Sequence, residues 1–249
     1  MKAVYILWLR QLKRYVRSKS RMVGSLGQPI IFLFALGFGF GPTFQKAGGG
    51  NYLQFLTPGI VAMSVLFTAV FSGIEIIWDR QFGFLKETLV APVPRLAIVM
   101  GRTLGGATVA SIQGLIVFAI CLAAGFRFAT SALLLPLALV FLFLLALLFT
   151  AVGTAIASVL QDLQGFQLIM NFMVLPLFFF SDALFPIHGL PTALRIVLRL
   201  NPVTYGVDGL RGALTHGFAF GLGEDLVILG ALTAVMLSVG SYLFSKIQL

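Results

Sequence analysis

The chain has 249 residues, 59% hydrophobic and 10% charged, with a formal net charge of +9 and one cysteine. Soluble domains run nearer about 25% charged, so a soluble globular fold is excluded, while repeated apolar stretches of about 20 residues match a bilayer core of roughly 30 Å. The reading is one all-α, polytopic membrane domain over residues 1–249, with no nucleic-acid partner because the bases flank apolar stretches instead of forming a groove, and with no intrachain disulfide because Cys121 is alone.

Residues 2–21 form the first unit. Val4, Trp8, Leu12 and Tyr15 fall on one helical face and Arg10, Lys13, Arg14, Arg17 and Arg21 on the other. That pattern predicts a basic amphipathic interface helix that favours anionic membrane lipid. A signal peptide is the rival reading; the basic region is too long for one and no A-x-A-like site follows.

The first predicted span covers residues 22–41. Pro29 should bend it, and Gly37, Gly39 and Gly41 serve either close packing or flexibility. A glycine-rich loop follows to Gly50. The second span covers residues 55–78, with Pro58 in its first turn, where proline is tolerated. Glu75, near its end, is the one acid clearly inside an apolar stretch. Such an acid is a functional candidate; the alternative is snorkelling, or pairing with Arg80 or Arg102.

Residues 78–102 read WDRQFGFLKETLVAPVPRLAIVMGR. Asp79, Arg80, Lys86, Glu87, Arg95 and Arg102 keep this stretch out of hydrocarbon, since a central charge costs roughly 2.5–3.5 kcal/mol on insertion scales. Phe82, Leu85 and Leu89 recur at i, i+3 and i+7, which predicts a short helix with one apolar face. Asp79 suits its positive end and Lys86 its negative one; Pro92 and Pro94 stop it. Such a helix is either a handle for a soluble partner or an ordinary solvated loop helix.

The third span covers residues 103–126, opening on Gly101, Gly105 and Gly106 at close-packing spacing. The fourth covers 132–160, with Gly153 and Ala157 on another packing face. The fifth, 165–180, is barely long enough to cross, and Pro176 should break its second half. Residues 181–225 then hold Pro186, Pro191 and Pro202 among apolar segments too short to span. Asn201 can cap a helix whose first residue is Pro202. Short helices around prolines read as a re-entrant or interfacial hairpin over 181–200, tolerated at membrane depth only where buried in protein or lining a cavity. The sixth span covers 226–244.

Six spans put both ends on one side. Residues 1–21, 78–102 and the tail carry twelve Lys and Arg, against five on the opposite segments. The positive-inside rule therefore predicts cytoplasmic termini and a cytoplasmic 78–102 loop. The sequence holds no G-x-x-x-x-G-K-[ST], H-E-x-x-H or G-x-S-x-G motif. His188 and His216 in the outer segment could bind a metal, sense pH or be inert.

The stretch DRQFGFLKETLVAPVPR, Asp79 to Arg95, closely resembles the cytoplasmic signature of permease subunits of type-2 ATP-binding cassette (ABC) exporters, the kind that includes daunorubicin-resistance and nodulation-factor exporter permeases. Leu56-Thr57-Pro58-Gly59-Ile60, Phe185-Pro186 to Leu190-Pro191, and Leu200-Asn201-Pro202-Val203-Thr204-Tyr205 to Arg211 resemble the family in the same order. Gln81 departs from it, since many relatives carry Glu there.

The resemblance implies a homodimeric permease in the cell (cytoplasmic or inner) membrane, with two separate ABC ATPase subunits that bind ATP and Mg; this chain itself binds no cofactor and is not an enzyme. It implies a coupling helix at 79–91, with Asp79, Phe82, Gly83, Phe84, Leu85, Lys86, Glu87 and Leu89 at the ATPase, and an outer segment marked by Phe185, Pro186, Pro191, Asn201, Pro202 and Arg211. The family exports drugs, lipids and glycolipid-like molecules. Phe178 to Phe180 would either line a path for such a substrate or face lipid. The competing functions are a stand-alone secondary transporter or channel, and, third, a membrane enzyme.

Overall fold

A computed structural model describes residues 2–46, 51–186, 191–215 and 217–247. Every regular element among them is helical: α1 (Lys2–Arg17), α2 (Lys19–Phe32, running on as a π-helical stretch, Leu33–Phe38), α3 (Gly41–Lys46), α4 (Tyr52–Phe71), α5 (Ile74–Gln81), α6 (Phe84–Val90), α7 (Arg95–Ala123), a 3₁₀ turn (Ala132–Leu134), α8 (Leu135–Val159), α9 (Leu163–Phe179), α10 (Thr192–Leu200), α11 (Pro202–Thr215) and α12 (Leu222–Ser245). Among the described residues, five segments are long and apolar enough to cross a membrane: Lys19–Phe38, Tyr52–Gln81, Arg95–Ala123, Leu135–Val159 and Leu222–Ser245. The expected fifth of six crossings is α9, whose 17 residues reach about 26 Å at 1.5 Å per residue.

The core lies where α4, α7 and α8 pack together, with α12 along α8 and α11 wedged among α4, α8 and α12. Small residues set these distances. A Cβ on Gly153 of α8 would fall onto the backbone of Val70 in α4, and one on Gly73 onto the backbone of Gly153. The α4–α5 helix breaks at Ser72 and Gly73, where the two backbones meet.

The helix of the third span starts at Arg95, eight residues before the predicted boundary, because Gly101 and Gly105 seat α1 on it. A Cβ at Gly101 would lie 2.9 Å from the Leu7 Cβ, and one at Gly105 2.7 Å from the Gln11 Cγ. The Trp8 indole N–H donates to Thr108 Oγ1 at 3.0 Å. The amphipathic first helix is thus strapped along α7, with Leu7, Gln11 and Tyr15 buried.

Three proline expectations change. Helix α9 runs through Pro176 to Phe179 without a break. Pro58 is interior to α4, which begins at Tyr52; its missing N–H leaves one carbonyl of the preceding turn unpaired, and the Thr57 hydroxyl bonds the neighbouring Leu53 carbonyl at 2.8 Å. Helix α2 passes Pro29 unbroken and widens into its π-helical stretch one turn later. Of its glycines, Gly37 packs on Leu53 and Leu56, whereas Gly39 and Gly41 have no neighbour within 4 Å of a Cβ position.

Replacing Gly153 with Val forces a side chain into α4 backbone and should cost about 1–3 kcal/mol or more. Gly230, with open space around it, should accept Ala and gain up to about 1 kcal/mol of helix propensity. Thermal unfolding of the two purified variants should move in opposite directions.

Candidate functional site

One end of the bundle gathers α1, the α5–α6 segment, the α8–α9 turn and the end of α12. Its centre is Asp79, only 4% exposed. The Arg10 guanidinium donates to both carboxylate oxygens, at 3.0 and 2.8 Å, in the planar two-point geometry that suits arginine. Arg102 of α7, itself buried, donates to the same carboxylate at 2.6 Å. One helical turn earlier, Glu75 accepts from Arg21 at 2.9 Å, and Arg14 stands 3.7 Å from Glu75 and 3.8 Å from Asp79. Two acids at i and i+4 on one helix therefore meet a row of arginines on α1 and the start of α2.

This arrangement corrects two expectations. Glu75 pairs with Arg21 and Arg14, not with Arg80 or Arg102, because α1 crosses its exposed side. Asp79 lies in the last turn of α5 as a buried anchor, not at the start of the loop helix. Arg80 turns the other way and donates to the Leu160 and Ser158 carbonyls at 2.9 and 3.1 Å, capping the end of α8. Arg95 reaches the carbonyls of Ser245 and Ile247 at the end of α12.

The helix expected over 79–91 is divided at Gly83. α5 ends at Gln81, Gly83 takes φ +80°, and α6 begins at Phe84. A left-handed residue at this corner favours glycine, which has no Cβ to clash. The corner also separates residues that the sequence placed on one face: Phe82 is 82% exposed and Leu85 1%. Leu85 is part of this chain's own core, and Leu89 packs partly against it. The Phe84 ring lies beneath the Arg10 guanidinium, 3.8 Å from its centroid. What the corner and α6 present outward is Gln81, Phe82, Lys86, Glu87 and Val90.

The opposite end is built from the other sequence motifs. Asn201 Oδ1 accepts the Val203 N–H at 3.0 Å, the cap expected of it, while its amide donates to the carbonyls of Leu177 and Phe180 at 2.6 Å each. It thereby ties the end of α9 to the start of α11, whose first residue is Pro202. Arg211, counted by sequence among outer-loop bases, is a buried hub: it pairs with the Asp182 carboxylate, donates to the Asp182 carbonyl at 2.6 Å, and lies 4.1 Å from the Phe55 ring centroid. Gly59, within Leu56–Ile60, lets the 181–184 turn press on α4, since a Cβ there would fall onto the Ala183 backbone carbonyl. Tyr52 donates to the Leu184 carbonyl at 3.3 Å. Phe185, Pro186 and Pro191 are exposed beside this hub, and α10 is amphipathic with Leu198 inward. Phe178 is buried against Phe32, while Phe179 and Phe180 are half exposed. His188, Leu190 and His216 lie outside the described residues.

Residues 2–215 match the family model described as ABC-2 type transporter. The chain belongs to the ABC-2 type transporter family. Among its relatives, the putative transport permease ycf38 of Cyanophora paradoxa is 28% identical over 98% of this chain and 88% of its own length. Nodulation protein J of Rhizobium leguminosarum bv. trifolii is 29% identical over 83% of this chain and 76% of its own. The inner membrane transport permease YadH of Escherichia coli K12 is 28% identical over 84% and 81%. The ABC-2 match takes in α1, the anchored loop and the Asn201–Arg211 hub together, so the chain is a multi-pass membrane component of this transporter family.

Sequence reading of this ABC-2 chain missed the roles of Arg10, Arg14 and Arg21. The signal was present: a helix with several bases and no acid, and two acids one turn apart in a later apolar span. Removing Asp79 leaves Arg102 buried without its partner, and breaking a buried pair costs roughly 3–5 kcal/mol. Asp79→Ala should therefore lower the urea unfolding midpoint strongly, whereas Glu87→Ala on the exposed face should stay within about 0.5 kcal/mol.

Proposed function

We propose that the chain is the transmembrane permease subunit of an ABC exporter, working as a pair of copies with two separate ATPase subunits that hydrolyse ATP. The observation that carries this reading is the loop between α5 and α7. Its tip is exposed and apolar, with Phe82 82% and Val90 78% exposed, yet its base is fixed by Asp79 to both α1 and α7. A tip that is stiffly attached but free at its surface suits a part that is pushed by a docked protein. Phe82, Lys86, Glu87 and Val90 would form the ATPase contact, with Gly83 setting the corner. Leu85 and Asp79 would transmit the push inward, and Phe84 would transmit it to α1 through Arg10.

The proposed orientation places both termini and this loop in the cytoplasm of a cell or inner membrane. The concentration of Lys and Arg at that end supports it, as does the printed name of the E. coli relative as an inner membrane permease. The proposed substrate is an amphiphile, such as a drug, lipid or glycolipid-like molecule. Of the buried acids, Glu75, Asp79 and Asp182 are paired with arginine, whereas Asp208 accepts from the Ala219 and Phe220 N–H groups and Asp225 accepts no hydrogen bond; the preference for ATP coupling over a secondary transporter therefore rests on the exposed loop tip. Pairing of two copies is supported by the open glycine faces of α2 and by the largely exposed apolar side of α10.

The test is transport in proteoliposomes containing the permease and its ATPase. Phe82→Ala with Val90→Ala should leave the permease folded and inserted, weaken ATPase binding more than tenfold and abolish ATP-dependent transport, since truncated interface anchors cost about 2 kcal/mol or more. Leu85→Ala should instead destabilise the permease by roughly 2–5 kcal/mol. Full ATP-driven transport by the Phe82/Val90 double variant would refute the docking assignment.

A further inference from the structure

Helices α11 and α12 meet at the end of the bundle that carries the Arg211 hub, and the turn between them closes on two buried acids. Asp208 and Asp225 are both 0% exposed. Asp208 lies on α11, one turn before Arg211. Its two oxygens accept the Ala219 N–H at 2.8 and 2.9 Å, and Oδ2 also accepts the Phe220 N–H at 2.9 Å. Both oxygens therefore act as acceptors, as in a carboxylate. The bond fixes the 219–220 backbone to α11, and the Phe220 ring packs on Tyr205 and under the Arg199 guanidinium, at 5.5 and 5.6 Å.

Asp225, in the first turn of α12, has no such donors. Neither of its oxygens accepts a hydrogen bond. Its side chain is aimed at Asp208, within hydrogen-bonding reach, and Glu224 is the other charged neighbour acting on it among the described residues. No base compensates it. Arg211 is committed to Asp182 and Arg199 lies over Phe220. Tyr205 donates its hydroxyl to the Arg199 carbonyl at 2.6 Å. Helix α8, packed along α12, has no titratable residue. Two carboxylates this close and this buried cannot both be ionised, and an unpaired buried charge is costly. One proton removes both difficulties, since a neutral Asp225 becomes the donor that its neighbour can accept. A divalent cation is the other way to join two acids. It calls for six or more oxygen ligands in the case of calcium, and among the described residues no group of three Asp, Glu, His or Cys side chains is placed to hold a metal.

We propose that Asp225 and Asp208 form a one-proton latch, in which Asp225 is a neutral carboxylic acid at neutral pH and donates to the Asp208 carboxylate, holding the start of α12 to α11 and the Arg211 hub. Loss of that proton sets two charges against each other and loosens this end of the bundle, so the contact is set by pH. The latch lies within one copy of the chain and does not depend on the exporter reading. Its sign follows from proton counting. An aspartate in the unfolded chain titrates near about pH 4. Above that pH the folded chain holds a proton that the unfolded chain has lost, so stability falls as pH rises, by about tenfold in the unfolding constant per pH unit, until Asp225 ionises in the fold as well.

The test joins infrared spectroscopy to unfolding, on the full chain in detergent micelles. With carbon-13 in its aspartate carboxyl groups, the wild type at neutral pH should show the C=O band of a protonated aspartic acid, which shifts in heavy water and disappears in alkali. Asp225→Asn keeps an N–H donor towards Asp208 and carries no charge. It should fold, lack the band and lose the one-proton slope, so that the ratio of the wild-type unfolding constant to that of the variant rises about tenfold per unit between about pH 5 and 7. Glu224→Gln removes the exposed neighbouring charge and should keep both band and slope. Absence of a protonated-aspartate band in the wild type, or equal pH slopes in the wild type and Asp225→Asn, would overturn the proposal. So would stabilisation by calcium or magnesium that EDTA reverses and Asp225→Asn abolishes, in favour of a cation site. If Asp225→Asn does not fold, the wild-type band and its loss in alkali decide the question without it.

Discussion

The Asp79 carboxylate holds together three parts of the chain that are distant in sequence. Arg10 comes from the first helix, Arg102 from the start of α7, and Asp79 itself from the last turn of α5. A buried pair of this kind is not a cheap source of stability, since desolvating the charges opposes their attraction. Its effect here is geometric. It fixes the angle at which α5 leaves the bundle, and so fixes where the Gly83 corner and α6 stand. Without it the loop would lose its charged tie to α1 and α7 and keep the Leu85 and Leu89 packing, the Phe84–Arg10 contact and the Arg80 bonds to the end of α8. With it, a displacement of the exposed tip is also a displacement of α1 and α7.

The far end has the same construction with different parts. Arg211 and Asp182 form the buried pair, and Asn201 closes the carbonyls at the end of α9 while starting α11. Between the ends, glycine contacts between α4 and α8 bring backbones close, so these helices pack as a stiff unit with few side chains to absorb movement. Helices α2, α10 and α12 are far more exposed. In the proposed function this division has a use: the stiff centre would carry force from one end, and the loosely covered outer helices would meet lipid or a second copy.

The helices were largely legible in the sequence because hydropathy and proline, glycine and cap signals act locally. Five crossings, the short α9 and the Asn201 cap all fall near where those signals put them. What was not legible depends on which helix lies against which. The i, i+3, i+7 spacing of Phe82, Leu85 and Leu89 is a sound helical pattern, but it assumes one continuous helix, and a single left-handed glycine turns Phe82 away from Leu85. Glu75 has two nearby arginines in sequence, yet tertiary packing gives it Arg21 and Arg14 from more than fifty residues away. Arg211 reads as a loop base by composition and is a buried hub because Gly59 lets the Asp182 turn approach α4. Hydropathy treats each of these residues as an isolated charge, whereas their burial is decided by their partners.

The Asp79 anchor acts as an energetic link between α1 and the loop, beyond simple proximity. A double-mutant cycle on Arg10 and Asp79 measures that directly, from the unfolding free energies of the wild type, Arg10→Ala, Asp79→Ala and the double variant. Residues joined in one ion-pair network show coupling of about 0.5–3 kcal/mol, and the two-point bond observed here predicts a value above about 1 kcal/mol. Strict additivity of the two substitutions would contradict the anchor, and with it the claim that the exposed tip moves α1.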